Sequence, residues 1–293
     1  MKNYHVSVLI NEVIENLRVK KDKKYIDATL GGGGYTKEIL KKNGTVLGID
    51  VDNDALEFVK ENFKANIENK KLILAKGNFR NIDKLAFENG FEKADGIVFD
   101  LGVSMHQLKA EKRGFSFLSD EEIDMRMDQD LAVKAKDLLN VLTKRELYEI
   151  FKNFGEEELA WNVASAIVRR REIEKIETTK QLADIVAGVK RNKNLKIHPA
   201  TKVFQALRIV VNDELYSLKE ALPKAISLLN TKGRVLVVTF HSLEDEITKK
   251  IFEKAENEKK GKRINLKPIN PSLDEIEKNR SSRSASLRIF EKI

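Results

Sequence analysis

The chain has 293 residues, enough for one large domain or two smaller ones, each with a full core. It is 41% apolar and 34% charged, with no cysteine and no uncharged apolar run of membrane-spanning length; this excludes disulfides, cysteine-ligated zinc and a spanning helix. Its net charge of +8 is concentrated, with 11 Lys/Arg against 4 Asp/Glu from Ile167 to Ile209 and 11 against 6 from Lys254 to Ile293, which favours a polyanionic partner over the alternative of merely solvated helix faces.

The N-terminus, Met1-Lys-Asn-Tyr-His-Val-Ser-Val8, lacks the apolar core of a signal peptide, so the expected location is the cytoplasm. Tyr25 to Leu30 then reads as a short buried strand and Tyr35 to Lys42 as a helix, joined by the four glycines Gly31 to Gly34. Glycine reaches φ > 0 cheaply, so a ligand can lie against bare backbone at the mouth of that helix. Thr45 to Ile49 gives a second buried strand, and Asp50 stands where it stops, placed to accept both hydroxyls of a ribose. A nucleoside-containing cofactor is the expectation. Gly31 and Gly33 match the first two glycines of the dinucleotide fingerprint G-x-G-x-x-G, but Thr36 holds the third position. Close packing of the helix is therefore not expected there, and a dinucleotide is disfavoured. S-adenosylmethionine (SAM) has no pyrophosphate. It needs a loop for its methionine end, an acid for the ribose and an apolar slot for adenine.

Asp54 to Asn66 is predicted helical, and Leu72 to Ala75 is a third strand ending in Gly77-Asn-Phe79, where Phe79 can pack on a purine face. A short helix over Ile82 to Glu88 precedes a fourth strand, Gly96 to Phe99, closed by Asp100. A carboxylate at that strand end would face the transferred group or the charged end of the cofactor; a turn or capping aspartate is the alternative. Gln107, seven residues on, could bond cofactor or substrate.

The strand–helix alternation then stops. Helices are predicted at Leu131 to Leu139, Lys144 to Phe151, Glu156 to Arg171 and Thr179 to Arg191, with no buried strand from about Val103 to Thr201. A long helix over roughly Val203 to Leu229 leads to a strand at Arg234 to Phe240, a helix at Leu243 to about Glu258, and a last strand at Ala285 to Phe290. The expected architecture is an α/β, Rossmann-like, doubly wound and mostly parallel sheet, formed by residues 1–103 and 202–293, interrupted by an all-helical insertion at 104–201. The insertion leaves the carboxyl end of the fourth strand, the edge where open α/β sheets bind ligands.

Within it, Arg113-Gly-Phe-Ser-Phe117 and Asp124-Met-Arg-Met-Asp128 mix aromatics and arginines. Arg113, Phe115, Phe117 and Arg126 suit an unstacked base and its phosphates, or equally a packed loop that holds the insertion in place. The histidines His5, His106, His198 and His241 show no metal-ligand spacing, so no metal is expected. His198-Pro-Ala-Thr201 reads as a helix start, and Ser242 with Asp245 as a capping box that uses Asp in place of Glu.

Thr29-Leu-Gly-Gly-Gly-Gly34, Asp100-Leu-Gly-Val-Ser104, Arg113-Gly-Phe-Ser-Phe117, Asp124-Met-Arg-Met-Asp128, His198-Pro-Ala-Thr201, Phe204-Gln-Ala-Leu-Arg208 and Phe240-His-Ser-Leu-Glu-Asp245 follow one another in this order. In this the chain resembles the bacterial small-subunit ribosomal RNA methyltransferase family known as MraW or RsmH, from His5-Val-Ser-Val-Leu9 to Arg283-Ser-Ala-Ser-Leu-Arg288. The resemblance implies a class I SAM-dependent methyltransferase fold with an inserted helical substrate-recognition domain. It implies N4-methylation of one cytidine in the decoding region of 16S rRNA, as 16S rRNA in the small ribosomal subunit or its precursor. It also implies cofactor contacts at Gly33, Gly34, Tyr35, Asp50, Phe79, Asp100 and Gln107, with Tyr35 and the choice of Gly33 and Gly34 owed to the family alone. Tyr35 stands where the family usually has His, Met105-His106 replaces a common Ser-Pro, and Asn279-Arg-Ser-Ser-Arg283 replaces Asn-Pro-Arg-Ala-Arg.

Cytosine N4 is a poor nucleophile, and many amino-methyltransferases grip it with an Asp/Asn-Pro-Pro-aromatic motif after the fourth strand. Here that slot reads Asp100-Leu-Gly-Val103. Asp100 is thus the candidate catalytic residue, bridging the cofactor end and the amino group, with Phe115 or Phe117 stacking on the extruded base. The rival expectations are another nucleic-acid acceptor, a non-catalytic RNA-binding protein with a relic SAM pocket, and an NAD-dependent oxidoreductase, the last disfavoured by Thr36.

Overall fold

Side chains that alternate between faces along continuously buried central strands build two cores from one sheet. In the computed structural model, which describes residues 7–104, 107, 113–190 and 198–293, seven strands pair in the order β3-β2-β1-β4-β5-β7-β6. These are β1 Lys24–Asp27, β2 Thr45–Asp50, β3 Leu72–Lys76, β4 Ala94–Asp100, β5 Leu229–Thr239, β6 Gly261–Arg263 and β7 Ser286–Lys292. Strands β1 to β5 run parallel, while β7 lies antiparallel between β5 and β6. This is the Rossmann-like, doubly wound sheet of class I methyltransferases, with its order reversing between β1 and β4.

Ile26, Leu47, Ile49, Ile97, Phe99, Val235 and Val237 point to one face, where α5 (Ile82–Glu88), α11 (Glu214–Leu228) and α12 (Ser242–Asn257) supply Ile82, Ala221, Leu222 and Phe252. Their neighbours Tyr25, Val46, Val98, Leu236 and Val238 point to the other, covered by α1 (Ile10–Leu17), α2 (Gly34–Lys41) and α3 (Asn53–Asn62) through Val13, Leu17, Ile39 and Val59. Continuous burial with side chains alternating between faces is what a strand covered on both sides requires. The expected single helix over Asp54 to Asn66 is instead α3 followed by α4 (Lys64–Glu68), broken at Phe63, and β6 and α1 are elements the sequence reading did not contain.

The described residues divide into two compact units, 1–104 with 215–293, and 105–214. The second unit is helical: α6 Ala135–Val141, α7 Lys144–Asn153, α8 Ala160–Arg171, α9 Thr179–Val189 and α10 Thr201–Val211. Its one β feature among the described residues is an isolated bridge between Glu122 and Thr178. Capping boxes start two of these helices, Thr143 with Glu146 and Thr178 with Gln181. The buried pair Lys190–Glu157, 2.5 Å apart, is completed by the Pro199 carbonyl, which accepts from Lys190 at 2.6 Å. The chain re-enters the first unit at Leu215 rather than 202. The long helix expected over Val203 to Leu229 is two helices, α10 and α11, because Asp213 turns left-handed at φ 50° and Asn212 is drawn off to hold Met125 and Met127. No helix among the described residues is long and apolar enough to cross a membrane.

In the first unit, Arg234 on β5 is almost wholly buried. It donates to the Glu291 carboxylate at 2.9 Å through Nε and to the Asn16 carbonyl at 2.7 Å. Glu291→Ala strands that guanidinium and is expected to cost about 3 kcal/mol in urea unfolding, whereas Arg234→Met with Glu291→Leu restores most of the loss.

Candidate functional site

Three adjacent strands, β2, β1 and β4, each end in an aspartate: Asp50, Asp27 and Asp100. Asp27 lies in register with Gly48 and Val98, so the other two carboxylates stand two residues further along their strands. The order of the sheet reverses between β1 and β4, which makes this edge the ligand crevice of a doubly wound sheet.

Asp50 organises the glycine loop. Its Oδ2 accepts from the Gly31 N–H at 2.7 Å and its Oδ1 from the Asp52 N–H at 2.9 Å. Beyond Gly31 the chain needs Gly33, whose φ of 74° makes it the left-handed N-cap of α2. Gly34 is required for a different reason, since a Cβ there would sit 1.9 Å from the Ser7 hydroxyl oxygen. Burial chiefly pushes the Asp50 carboxyl up to about 6, against the two N–H donors that favour its charge.

Asp27 is completely buried. Its Oδ2 accepts from the Thr36 hydroxyl at 2.7 Å, its Oδ1 has no partner among the described residues, and burial raises it to about 6. Thr36 therefore does what a third glycine was expected to do. It is itself fully buried, and its hydroxyl draws α2 onto β1 instead of holding it off. Asp27 was absent from the expected site. Its signal was a lone carboxylate in otherwise apolar strand text.

Asp100 is the most perturbed of the three. Although the residue keeps some exposed surface, its Oδ1 is buried without a partner among the described residues. Burial first, then the Asp27 and Glu244 charges, push it up to about 8, against the pull of the nearby Tyr35 hydroxyl. That hydroxyl donates to the Val8 carbonyl at 2.5 Å, and the Tyr35 ring is buried, leaving its backbone as the part free to meet a ligand. Glu244 opens α12, where His241, not Ser242, is the N-cap: its Nδ1 accepts from the Glu244 N–H at 3.4 Å. Asp245 is no cap partner either, because its carboxylate forks onto Arg288 at 2.5 and 2.7 Å. Phe79 follows β3 in a single 3-10 turn and meets Phe99 edge-on at 5.7 Å.

The structure thus brings Gly33, Gly34, Tyr35, Asp50, Phe79 and Asp100 into one unit, at the carboxyl ends of its strands. Gln107 is buried in the other unit, and Met105 and His106 lie outside the described residues, as does His5. Also in that second unit, Arg113 is buried and donates to the Arg126 and Met127 carbonyls, while Arg126 forks onto Asp124 at 2.7 and 2.8 Å. Phe115 is buried, and Phe117 stacks on His198 at 4.1 Å with its edge against Phe204. These contacts lie within the insertion itself.

The MraW methylase family profile matches residues 2–293 of the chain. The ribosomal RNA small subunit methyltransferase H of Carboxydothermus hydrogenoformans is 43% identical over 310 aligned residues, covering 100% of this chain and 99% of that one. The protein of the same name from a Sulfurihydrogenibium species is 44% identical over 293 residues, 99% of each chain, and that of Oenococcus oeni 42% over 307 residues, 98% of each.

Two outcomes follow from the geometry. Gly34→Ala is expected to cost about 1–3 kcal/mol in urea unfolding, and Ser7→Gly in the same chain to recover most of it. An acid whose folded pKa is raised contributes stability below its unfolded value that is lost as pH climbs through the folded one. For Asp100 that window runs from 3.8 to about 8. Wild type measured against Asp100→Asn should therefore lose ground steadily across it, and the difference should be flat above it.

Proposed function

Because the chain belongs to the MraW methylase family, we propose that it transfers a methyl group from SAM to N4 of a single cytidine in the decoding region of 16S rRNA, carried by the small ribosomal subunit or its precursor. The protein is a SAM-dependent methyltransferase of small-subunit rRNA; the base and its position are the finer part of the reading. One observation carries the cofactor assignment. Among the described residues, two buried carboxylate oxygens, Asp27 Oδ1 and Asp100 Oδ1, lack partners at a strand edge where three aspartates have raised pKa values. A ligand with a cationic end supplies the charge that such an edge calls for.

The residues present fit that ligand. Asp50 keeps lone pairs for the ribose hydroxyls beyond the two N–H groups it already accepts. Gly33, Gly34 and Tyr35 offer bare backbone at the N-terminus of α2, and Phe79 offers an apolar ring for adenine. Asp100 holds the charged end. When bound, SAM supplies a sulfonium-activated methyl group. The protein's part is then to hold donor and acceptor in line and exclude water.

In this reading Asp100 does two things. Next to a cation its carboxyl ionises at neutral pH, and the carboxylate then accepts a hydrogen bond from the exocyclic amine, turning the nitrogen lone pair towards the methyl. The Asp-Pro-Pro-aromatic grip of other amino-methyltransferases is thereby replaced by one buried acid whose pKa its neighbours set.

Mass mapping of 16S rRNA from cells with and without the gene should show loss of one N4-methylcytidine; an unchanged map, or loss at another base, overturns the assignment. In the purified protein, Asp50→Ala is expected to weaken SAM binding on the order of tenfold or more, the worth of hydrogen bonds to a charged group. Asp100→Asn should cut turnover at least as strongly, and near-normal turnover in that variant would remove Asp100 from the chemistry.

A further inference from the structure

Trp161 is the chain's one tryptophan, and it stands 48% exposed on α8. The Tyr148 ring of α7 meets it edge-on at 5.4 Å. Lys144 Nζ lies 4.1 Å above the indole, and Lys152 Nζ lies 5.8 Å from the centre of the Tyr148 ring. Lys144, Tyr148 and Lys152 recur at steps of four along α7, so they form one stripe on the helix.

Among the described residues neither Lys144 nor Lys152 reaches a carboxylate within ion-pair distance, while the acids of the same helix are engaged. Glu146 accepts from Thr143 at 2.7 Å, and Glu149 from Asn153 at 3.1 Å. Arg169, exposed two turns further along α8, adds a third positive charge. Lysines resting on aromatic faces stabilise a helix pair slightly, but that needs no indole open to solvent. A half-exposed indole whose covering ammonium has no carboxylate partner among the described residues can exchange that lysine for a base, with the ammonium turning to the phosphates.

We propose that Trp161 and Tyr148 form a stacking platform for unpaired bases of the RNA substrate, with Lys144 and Lys152 on the flanking phosphates. The proposal rests on the rRNA reading above and adds to it a contact surface separate from the target cytidine. Its chemistry is tolerant of base identity, because every base has a stacking face. The platform gives affinity and register, and leaves the choice of base to the catalytic pocket.

The test measures binding of the full chain to naked 16S rRNA over a salt series, and methylation kinetics on small-subunit particles. Trp161→Ala should weaken RNA binding on the order of tenfold and raise KM for particles alike, with kcat and SAM affinity unchanged. Trp161→Leu keeps apolar bulk without a flat ring and should lose as much, while Trp161→Phe should keep most of the affinity. Lys144→Glu with Lys152→Glu should weaken binding and flatten the dependence on salt by about two released ions. Unchanged binding in both Trp161→Leu and the lysine pair overturns the platform. Loss confined to the lysine variant overturns the stacking, and loss on particles with normal binding to naked rRNA points to a ribosomal protein instead. If wild type binds RNA but methylates none, the proposed function fails, and the binding comparison still decides the platform.

Discussion

Three carboxylates brought to the ends of neighbouring parallel strands set the terms for the rest of the catalytic unit. Parallel pairing in the order β2-β1-β4 places Asp50, Asp27 and Asp100 along one edge, and burial there disfavours their charge. The same groups hold the surrounding backbone. Asp50 fastens the glycine loop through Gly31, and Asp27 fastens α2 through Thr36. Loop geometry and charge imbalance thus have one origin, and a cation that relieves the imbalance also steadies the loop that receives it. A site arranged in this way is preorganised by the fold, before any ligand arrives.

Much of this edge was legible because its signals are local. Four glycines between two apolar runs, and an acid where each apolar run stops, can be read residue by residue at Asp50 and Asp100. Asp27 could not be read that way. It sits inside the strand text, and only pairing with β2 and β4 shows that the strand has already ended. Thr36 was misjudged for a related reason: a glycine fingerprint describes how closely a helix may approach, and says nothing of a hydroxyl that pulls it in. The cap of α12 was placed one residue late, at Ser242 instead of His241, because histidine is seldom read as a capping acceptor. The apolar periodicity of Val203 to Leu229 ran unbroken across a left-handed residue at Asp213. Gly261-Lys262-Arg263 at a sheet edge, β6, carries no periodicity at all.

The second unit shows why aromatic and basic residues resist assignment from sequence. Arg113, Arg126 and Phe115 lie in motifs that suggest RNA, yet the two arginines bond within their own loop and Phe115 is buried. Lys144, Tyr148 and Trp161 lie in no motif, and although they touch one another Trp161 stays half exposed. What separates the two sets is how much of each side chain the fold leaves at the surface, a property of the packed structure.

The parallel pairing of β4 with β5 joins Ile97 to Val235 and Phe99 to Val237, with the whole of residues 105–214 between them in the chain. Closing so long a segment as a floppy loop is slow, since its entropy must be lost before any ladder bond forms. The insertion escapes that regime by having its own buried core, in which α7 packs on α8 and α8 on α9 before α10 returns to α7. A segment of that kind collapses early and hands the sheet a pre-structured connector in place of a random coil. Mutations that loosen the insertion's core should therefore slow the assembly of a cofactor site to which they contribute no side chain.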